Sequence, residues 1–509
     1  MIPSVGDIYC VYSDKLQQYV ACQITMLRET DSKRNPQLAA VLELDWTGDR
    51  LPDGAELHTM KPLVCDFYFW NHRLDHSFVG ANVPPNYTLV GNIPPLVQEE
   101  TNSYSGGWHV GGSLHRQRNW EKIDPGKREQ FKAAANDDTL IEIGGQSIRR
   151  DTSKINDTIL QVIDDMSELD KLPCLMTIHT DNADQALIHY VNSNPLIHEL
   201  QLASCSSSQL DLRNSHVSRL ILNAEGIEEL YLNEDLEQLM LSGTLSLGLA
   251  IHAHEDGRWM GVQYSADVPT FHGLDRLNAL SLTNVKEINM QQIVVRFPHL
   301  YELRIWGKPG IISNLHSLEQ LKELHRFTTY DLFGFTGEEF PAPDRLPHLS
   351  MLWMTSLPTD AGKLIKAAYK KEVPRGLDLS ITKARKPEWL AENLDNPFRD
   401  WDGREQITAA NAKKSAQLYK KMLATVRTLD EQMGIDTVNA TLKSLVTEYT
   451  EAFNKMDRRT GFIETVEREE IYMVLAGLLD QVEQQLGEQR KTLIDRDPLF
   501  ELFDQLRDF

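Results

Sequence analysis

The chain has 509 residues and a formal net charge of −22 at pH 7, from 52 Lys and Arg against 74 Asp and Glu. With 41% hydrophobic and 25% charged residues it can fill several cores, and its length argues for about three domains. The acidic balance weighs against general nucleic-acid binding and against an anionic membrane, which both need a basic surface, and leaves room only for a local basic patch.

The opening residues Ile2-Pro3-Ser4-Val5-Gly6-Asp7 carry neither the basic nor the apolar segment of a secretory signal. No apolar run is long enough to span a bilayer. Cys10, Cys22, Cys65, Cys174 and Cys205 are odd in number and form no C-x-x-C pair. The expectation is a cytoplasmic protein without a disulfide framework, metal centre or cofactor.

Residues 1–97 are expected to form a small β domain, with strands over 7–12, 19–25, 40–46, 63–70 and 87–90. Leu42, Leu44 and Trp46 share one face of the third. The fourth, Leu-Val-Cys-Asp-Phe-Tyr-Phe-Trp, is apolar on both faces and is expected at the centre. Five short strands suggest a bent sheet or barrel. Residues 98–134, rich in Gly and Ser up to 126 and without apolar periodicity, read as a linker.

Residues 135–375 contain a repeat. Its copies are Ile197-x-x-Leu200-x-Leu202, Val217-x-x-Leu220-x-Leu222, Ile227-x-x-Leu230-x-Leu232 and Leu236-x-x-Leu239-x-Leu241, then Leu277-x-x-Leu280-x-Leu282, Leu300-x-x-Leu303-x-Ile305 and Leu349-x-x-Leu352-x-Met354. Leu-x-Leu puts two side chains on one face of a short strand, and stacked copies bury a ladder that no single copy could bury. The early spacing leaves no room for helices, so the return path there is another strand or a tight turn. The later spacing admits a short helix per coil. Residues 252–271 break the rhythm and read as an inserted loop or hairpin. A strand over 173–179 and a helix over 182–191 are expected to cap the array.

Residues 376–509 are expected to form a helical bundle. One face is Ile471, Val474, Leu475, Leu478, Leu479, Val482 and Leu486, at helical spacing. A second is Val438, Leu442, Leu445, Val446, Tyr449 and Phe453. A third is Ser415, Tyr419, Met422, Val426, Leu429 and Met433. The predicted fold class is therefore mixed α and β and multidomain: a small β domain, a leucine-rich-repeat-like solenoid and a helical bundle.

The middle segment, 172–357, resembles the leucine-rich repeat family. Ile197-His198-Glu199-Leu200-Gln201-Leu202-Ala203-Ser204-Cys205 fits that family's L-x-x-L-x-L-x-x-N/C pattern throughout. Elsewhere Glu225, Asp235, Thr244, Val285 and Lys308 occupy the Asn/Cys position, so the asparagine ladder is mostly missing and a regular horseshoe is in doubt. The resemblance implies a recognition scaffold whose strand face contacts a protein. The N-terminal segment resembles the Imm26 family of bacterial immunity proteins, through Val5-Gly6-Asp7-Ile8, the short hairpin after it, and Leu89-Val90-Gly91-Asn92-Ile93-Pro94-Pro95. That resemblance implies toxin neutralisation in a polymorphic-toxin system.

Several clusters invite a chemical reading. His252 and His254, before Glu255 and Asp256, could share a strand face as metal ligands do, but no third ligand has an obvious spacing. His72 and His76 would pair on a helix, whereas their context suggests a loop. Gly106-Gly107-Trp108-His109-Val110-Gly111-Gly112 lacks the Lys-Ser/Thr of a phosphate loop and reads as a flexible linker. Asp395, Asp400 and Asp402 could form an acid pair, and capping of the next helix is the plainer reading. The serines around Cys205 lack a nucleophile elbow and read as a turn.

The leading expectation is a non-enzymatic protein-binding protein, more sharply an immunity protein that sequesters a cognate toxin by occlusion. The alternatives are an intracellular sensor or scaffold, and a metal-dependent hydrolase around His252, His254 and Glu255. The residues expected on the exposed strand face are Glu199, Gln201, Arg219, Glu229, Tyr231, Gln238, Met240, Glu302, Arg304, Trp306 and Trp353. Between Pro195 and Arg258 stand ten Asp and Glu against three Arg, a surface that would steer a basic partner such as a nuclease toxin or else be ordinary solvated acid.

Overall fold

The computed structural model describes residues 2–31, 36–265, 268–430, 433–486 and 494–509. It divides into two compact units, Met1–Ala384 and Arg385–Phe509. The fold is mixed α and β, with an antiparallel N-terminal sheet, a long parallel sheet and C-terminal helices.

Alternating apolar residues build the N-terminal sheet from Asp7–Ser13, Gln18–Glu29, Gln37–Gly48, His76–Gly80 and Thr88–Asn92. All neighbours are antiparallel, and Gln18–Glu29 is central. Leu42 and Leu44 are buried, with Trp46 packed on the same cluster, as the alternation predicts; Ala39 and Val41 serve the opposite face. The expected central strand over 63–70 does not form. Only Val64–Cys65 pairs, in a ribbon with Arg73–Leu74, and His76–Gly80 takes a place in the sheet at its edge. Tyr68 has φ 48°, a left-handed conformation that ends the extended run. Phe67, Tyr68 and Trp70 leave the sheet's ladder and pack in an aromatic core that also takes in Val11 and Val20.

The stretch expected as a linker is largely helical, over Gly112–Lys122 and Pro125–Ala134. Asp124 caps the second helix and Pro125 opens it. Leu114, Trp120 and Phe131 pack with Phe67 on one side and with Cys174 and Leu196 on the other. These helices are a wedge between the N-terminal sheet and the start of the array.

The array is an eleven-stranded parallel sheet. Its register aligns Ile155, Ile178, Leu200, Leu220, Leu239, Val262, Leu280, Leu303, Phe327, Leu352 and Leu379 in one inward column. Leu200, Leu220, Leu230, Leu239, Leu280, Leu303 and Leu352 all lie in a single continuous core, each at most 1% exposed. The early coils return by a second strand, forming a three-stranded parallel sheet from Gln209–Asp211, Glu229–Tyr231 and Ala250–His252. The copy Ile227-x-x-Leu230-x-Leu232 belongs to this second sheet, not to the main one. Later coils return through helix Met290–Arg296, 3-10 turns and helix Thr359–Tyr369. Left-handed residues Gly243, Asn284, Asp331, Ser356 and Lys383 recur where a main strand turns its corner.

Residues 252–271 are not an insertion: Gly261–Ser265 is a full strand of the main sheet, with Val262 in the inward column. Strand Thr177–Thr180 and helix Gln185–Ser193 exist, but the strand is an ordinary rung, and Lys154–Ile155 precedes it. At the other end the sheet continues to Asp378–Thr382.

In the second unit, helices Ala409–Val426, Ile435–Thr460, Thr465–Leu486 and Asp497–Leu506 share one core, and the short helix Pro387–Asn393 precedes them. The faces predicted on the two long helices are buried, with Val474 partly so. The third face runs past its helix: Leu429 and Met433 lie beyond Val426 and pack from the following turn. Arg404 bonds Glu467 and Glu470, and Trp401 donates to Glu470. Among the described residues no helix is long and apolar enough to cross a membrane.

Candidate interaction faces of the array

Because each strand alternates, the residues beside the inward column face outward on the main sheet. Glu199, Gln201, Arg219, Gln238, Met240, Glu302, Arg304 and Trp353 occupy such register positions, and Trp306 follows on the strand of Arg304. Gln238 and Trp306 are exposed, the latter at 42%; the others are half-buried. Glu229 and Tyr231 are on the second sheet instead, so the predicted set splits over two faces.

The early part of the main face is internally neutralised. Glu199 accepts from His179 Nε2 and Arg219 Nη1, both at 3.1 Å. Burial pushes its pKa up, but these two donors outweigh it and hold the carboxyl below its usual range. Farther along, Glu302 accepts from Arg304 at 3.1 Å and Arg326 at 3.4 Å. The Arg304 guanidinium lies 5.7 Å from the centre of the Trp306 ring.

On the second sheet, Tyr231 stacks on His252 at 4.4 Å, while Arg213 stands over the same ring at 4.6 Å. Its ring is thus engaged by groups from the preceding and following coils. His252 Nε2 bonds Glu229 at 2.9 Å, and that bond is the main cause of the lowered Glu229 pKa. His252 ends a strand, whereas His254 opens a 3-10 turn with left-handed Glu255 and Asp256, so the two histidines do not share a strand face. Glu255 faces Arg258 and Arg276. Among the described residues, no three His, Cys, Asp or Glu side chains converge as metal ligands would.

No protein-family model and no curated protein matches this chain. The assignment of faces therefore rests on geometry.

The remaining clusters have structural partners. His76 lies in a strand and its Nε2 meets Thr25 Oγ1 at 2.7 Å; His72 sits in a turn. The glycine-rich segment is an ordered loop rather than a flexible linker. Trp108 packs edge-on against Tyr9 and Tyr87 and donates to the Gly80 carbonyl. The following helix start holds an internal carboxylate: Glu43 accepts from Gly111 N at 3.0 Å and Leu114 N at 2.9 Å. Burial pushes the Glu43 pKa up to about 7, against the pull of those donors. Asp402 accepts from Arg385 at 2.6 Å and from Trp389, and Thr408, not Asp402, caps the helix that follows. Ser204 and Ser206 bond Asp181 and Asn182 in a turn between two strands.

The motif search missed Arg326 and Tyr330 because it missed their strand, Arg326–Phe333. Leu324-x-x-Phe327-x-Thr329 was the available signal: Phe replaces one leucine and a buried threonine the other.

Proposed function

We propose that this chain is a non-enzymatic protein-binding protein, and in its sharper form an immunity protein that occludes a cognate toxin. The observation that carries the reading is the outward face of the parallel sheet, where Arg304 and Trp306 stand on one strand and Trp353 stands two strands away, with Thr328 between it and Arg304. Arg and Trp are the side chains that dominate interface hot spots, and a preformed surface loses little entropy on binding. The resemblances to leucine-rich repeats and to bacterial immunity proteins point the same way. A basic partner would be steered by the turns flanking the second sheet. There Glu225, Glu228 and Glu234 are exposed and form no ion pair among the described residues.

The test is affinity capture with the tagged full-length chain in its native host, followed by expression of the captured protein alone and with this chain. The expected result is one small toxic partner whose toxicity the chain relieves. Relief should be lost or reduced when Trp306→Ala and Trp353→Ala are combined. A larger assembly without toxicity would replace this reading with the sensor or scaffold one. Stoichiometric metal and hydrolytic turnover would replace it with the enzyme.

A further inference from the structure

The second unit holds a cavity of about 240 Å³ between helix Ala409–Val426 and the segment that leads into it, a size at the lower edge of small-molecule sites. One wall is aromatic. Trp389 lines it from the short helix Pro387–Asn393, and its position is fixed from outside the cavity. Its Nε1 donates to Asp402 at 3.3 Å, while Arg385 stacks 4.2 Å from the ring centre and bonds the same carboxylate at 2.6 Å. Phe398 is buried beside it. Two buried amides brace this wall: Asn396 donates to Asn393 at 2.7 Å, Asn393 donates to the Trp389 carbonyl, and Asn396 accepts from Phe398 N. The facing wall is one side of helix Ala409–Val426, where Ala409, Ala412 and Ala416 recur at helical spacing and leave a slot that a larger side chain would fill. Lys413 and Lys420 stand on the same side of that helix; both are exposed and form no ion pair among the described residues. Of the carboxylates at the cavity, Asp402 is neutralised by Arg385, and Glu392 remains. Leaving aside Arg399, which adjoins Asp400, two ammonium groups face one carboxylate.

We propose that this cavity binds a small aromatic carboxylate. The ring enters between the Trp389 and Phe398 wall and the alanines, and the carboxylate meets Lys413 and Lys420 at the mouth. Long lysine stems let the ammonium groups reach the mouth while staying in water. Filling the slot with a ring takes the aromatic wall out of water, which is the driving force, and the excess of one positive charge matches one carboxylate. A neutral ring forfeits the ammonium contacts, and a cationic one meets them as like charges. The site goes beyond the protein-binding reading and is independent of it, because every lining residue belongs to the second unit and none to the array.

The experiment uses the full-length chain and 2-naphthoate, with 2-naphthylmethanol and 2-naphthylmethylammonium as neutral and cationic isosteres, each followed by equilibrium dialysis. 2-Naphthoate should bind at one site per chain, and both isosteres should bind about fivefold more weakly or worse. Lys413→Gln and Lys420→Gln should each weaken 2-naphthoate about threefold or more, and Glu392→Gln should tighten it about twofold. Ala416→Leu should abolish binding with the melting temperature unchanged or raised, because the new side chain occupies the slot. If that variant melts lower, Ala409→Leu, at the exposed end of the same wall, makes the same test. Lys414→Gln, next in the chain and outside the cavity, should leave binding unchanged. The proposal is overturned if 2-naphthoate shows no saturable binding, or if either isostere binds as well as it does. It is equally overturned if the alanine and lysine variants all bind like the parent chain.

Discussion

Glu43 and His198 are held away from their ordinary protonation states in opposite directions. Burial raises Glu43 from its ordinary 4.5 to about 7. Burial lowers His198 from 6.5 to about 4, with His216 adding to the effect, and its ring packs edge-on against Tyr68 at 4.7 Å. For Glu43 the unfolded chain ionises first, so its stabilising contribution is complete below 4.5 and is lost as pH rises toward 7. For His198 the unfolded chain protonates first, so its contribution is complete above 6.5 and is lost as pH falls toward 4. Each effect is on the order of 3 kcal/mol when fully developed, and over this shared window they oppose each other. The native protein should therefore show little pH dependence from this pair. Glu43→Gln should unmask a stability that falls with falling pH, and His198→Gln one that falls with rising pH. Urea midpoints between pH 4 and 7 check this; slopes of the same sign in the two variants would refute it. Glu467 makes a simpler case, being 1% exposed and bonded by Arg404 and Gln406. Glu467→Ala leaves Arg404 with Glu470 alone and should cost about 2 kcal/mol, read from chemical denaturation of the second unit.

At the level of the strand, inward and outward positions should respond differently to the same change. Leu239→Ala empties a fully buried site and should cost about 2–5 kcal/mol, whereas Gln238→Ala should stay within about 0.5 kcal/mol. Val262→Asp separates a rung from an inserted loop. A rung buries the new carboxylate without a partner and should fail to fold at ambient temperature, while Ser265→Asp on the same strand is tolerated. Soluble, stable Val262→Asp protein would remove Gly261–Ser265 from the array. Rungs with leucine at the first inward position and leucine, isoleucine or methionine at the second were legible in the sequence. Those with substitutes were not: Val262 and Tyr264 fill that strand, and Phe327 and Thr329 fill another. Aromatic and β-branched residues fill the same volume, so the core accepts them while the motif disappears. The residues 67–70 misled for a related reason. Their apolar character serves a core shared with Trp120 and Phe131, and a run that is apolar on all sides does not state which neighbour it packs against. The helices over 112–122 and 125–134 carry too few apolar residues for a visible stripe. Trp306, Arg304 and Trp353 could be placed from the repeat alone, whereas Arg326 and Tyr330 stayed hidden with their strand.

The two units differ in how their cores depend on sequence-distant parts. Within the first, Val11 and Val20 of the N-terminal sheet, Leu114 and Phe131 of the wedge helices, and Cys174 and Leu196 of the array all belong to one cluster. Lys15 pairs with Glu237, and Tyr68 meets His198, so the sheet is tied to the array by both charge and packing. Removing the array exposes the aromatic face of 67–70, and a fragment ending at residue 97 also loses Trp120 and Phe131. Such a fragment is expected to aggregate or remain unfolded. The second unit keeps its own aromatic centre: Phe398, Trp401, Phe453 and Phe462 are each 1% exposed or less, and every member of their cluster lies between 398 and 509. A fragment spanning 385–509 is therefore expected to fold alone, with helical circular dichroism and a single cooperative thermal transition. Trp401→Ala should lower that transition by a core-cavity cost of about 3–5 kcal/mol. If 385–509 gives helical circular dichroism without cooperative melting while 1–97 melts cooperatively, the cores have been divided at the wrong places. The N-terminal sheet, not the helical bundle, would then be the autonomous domain.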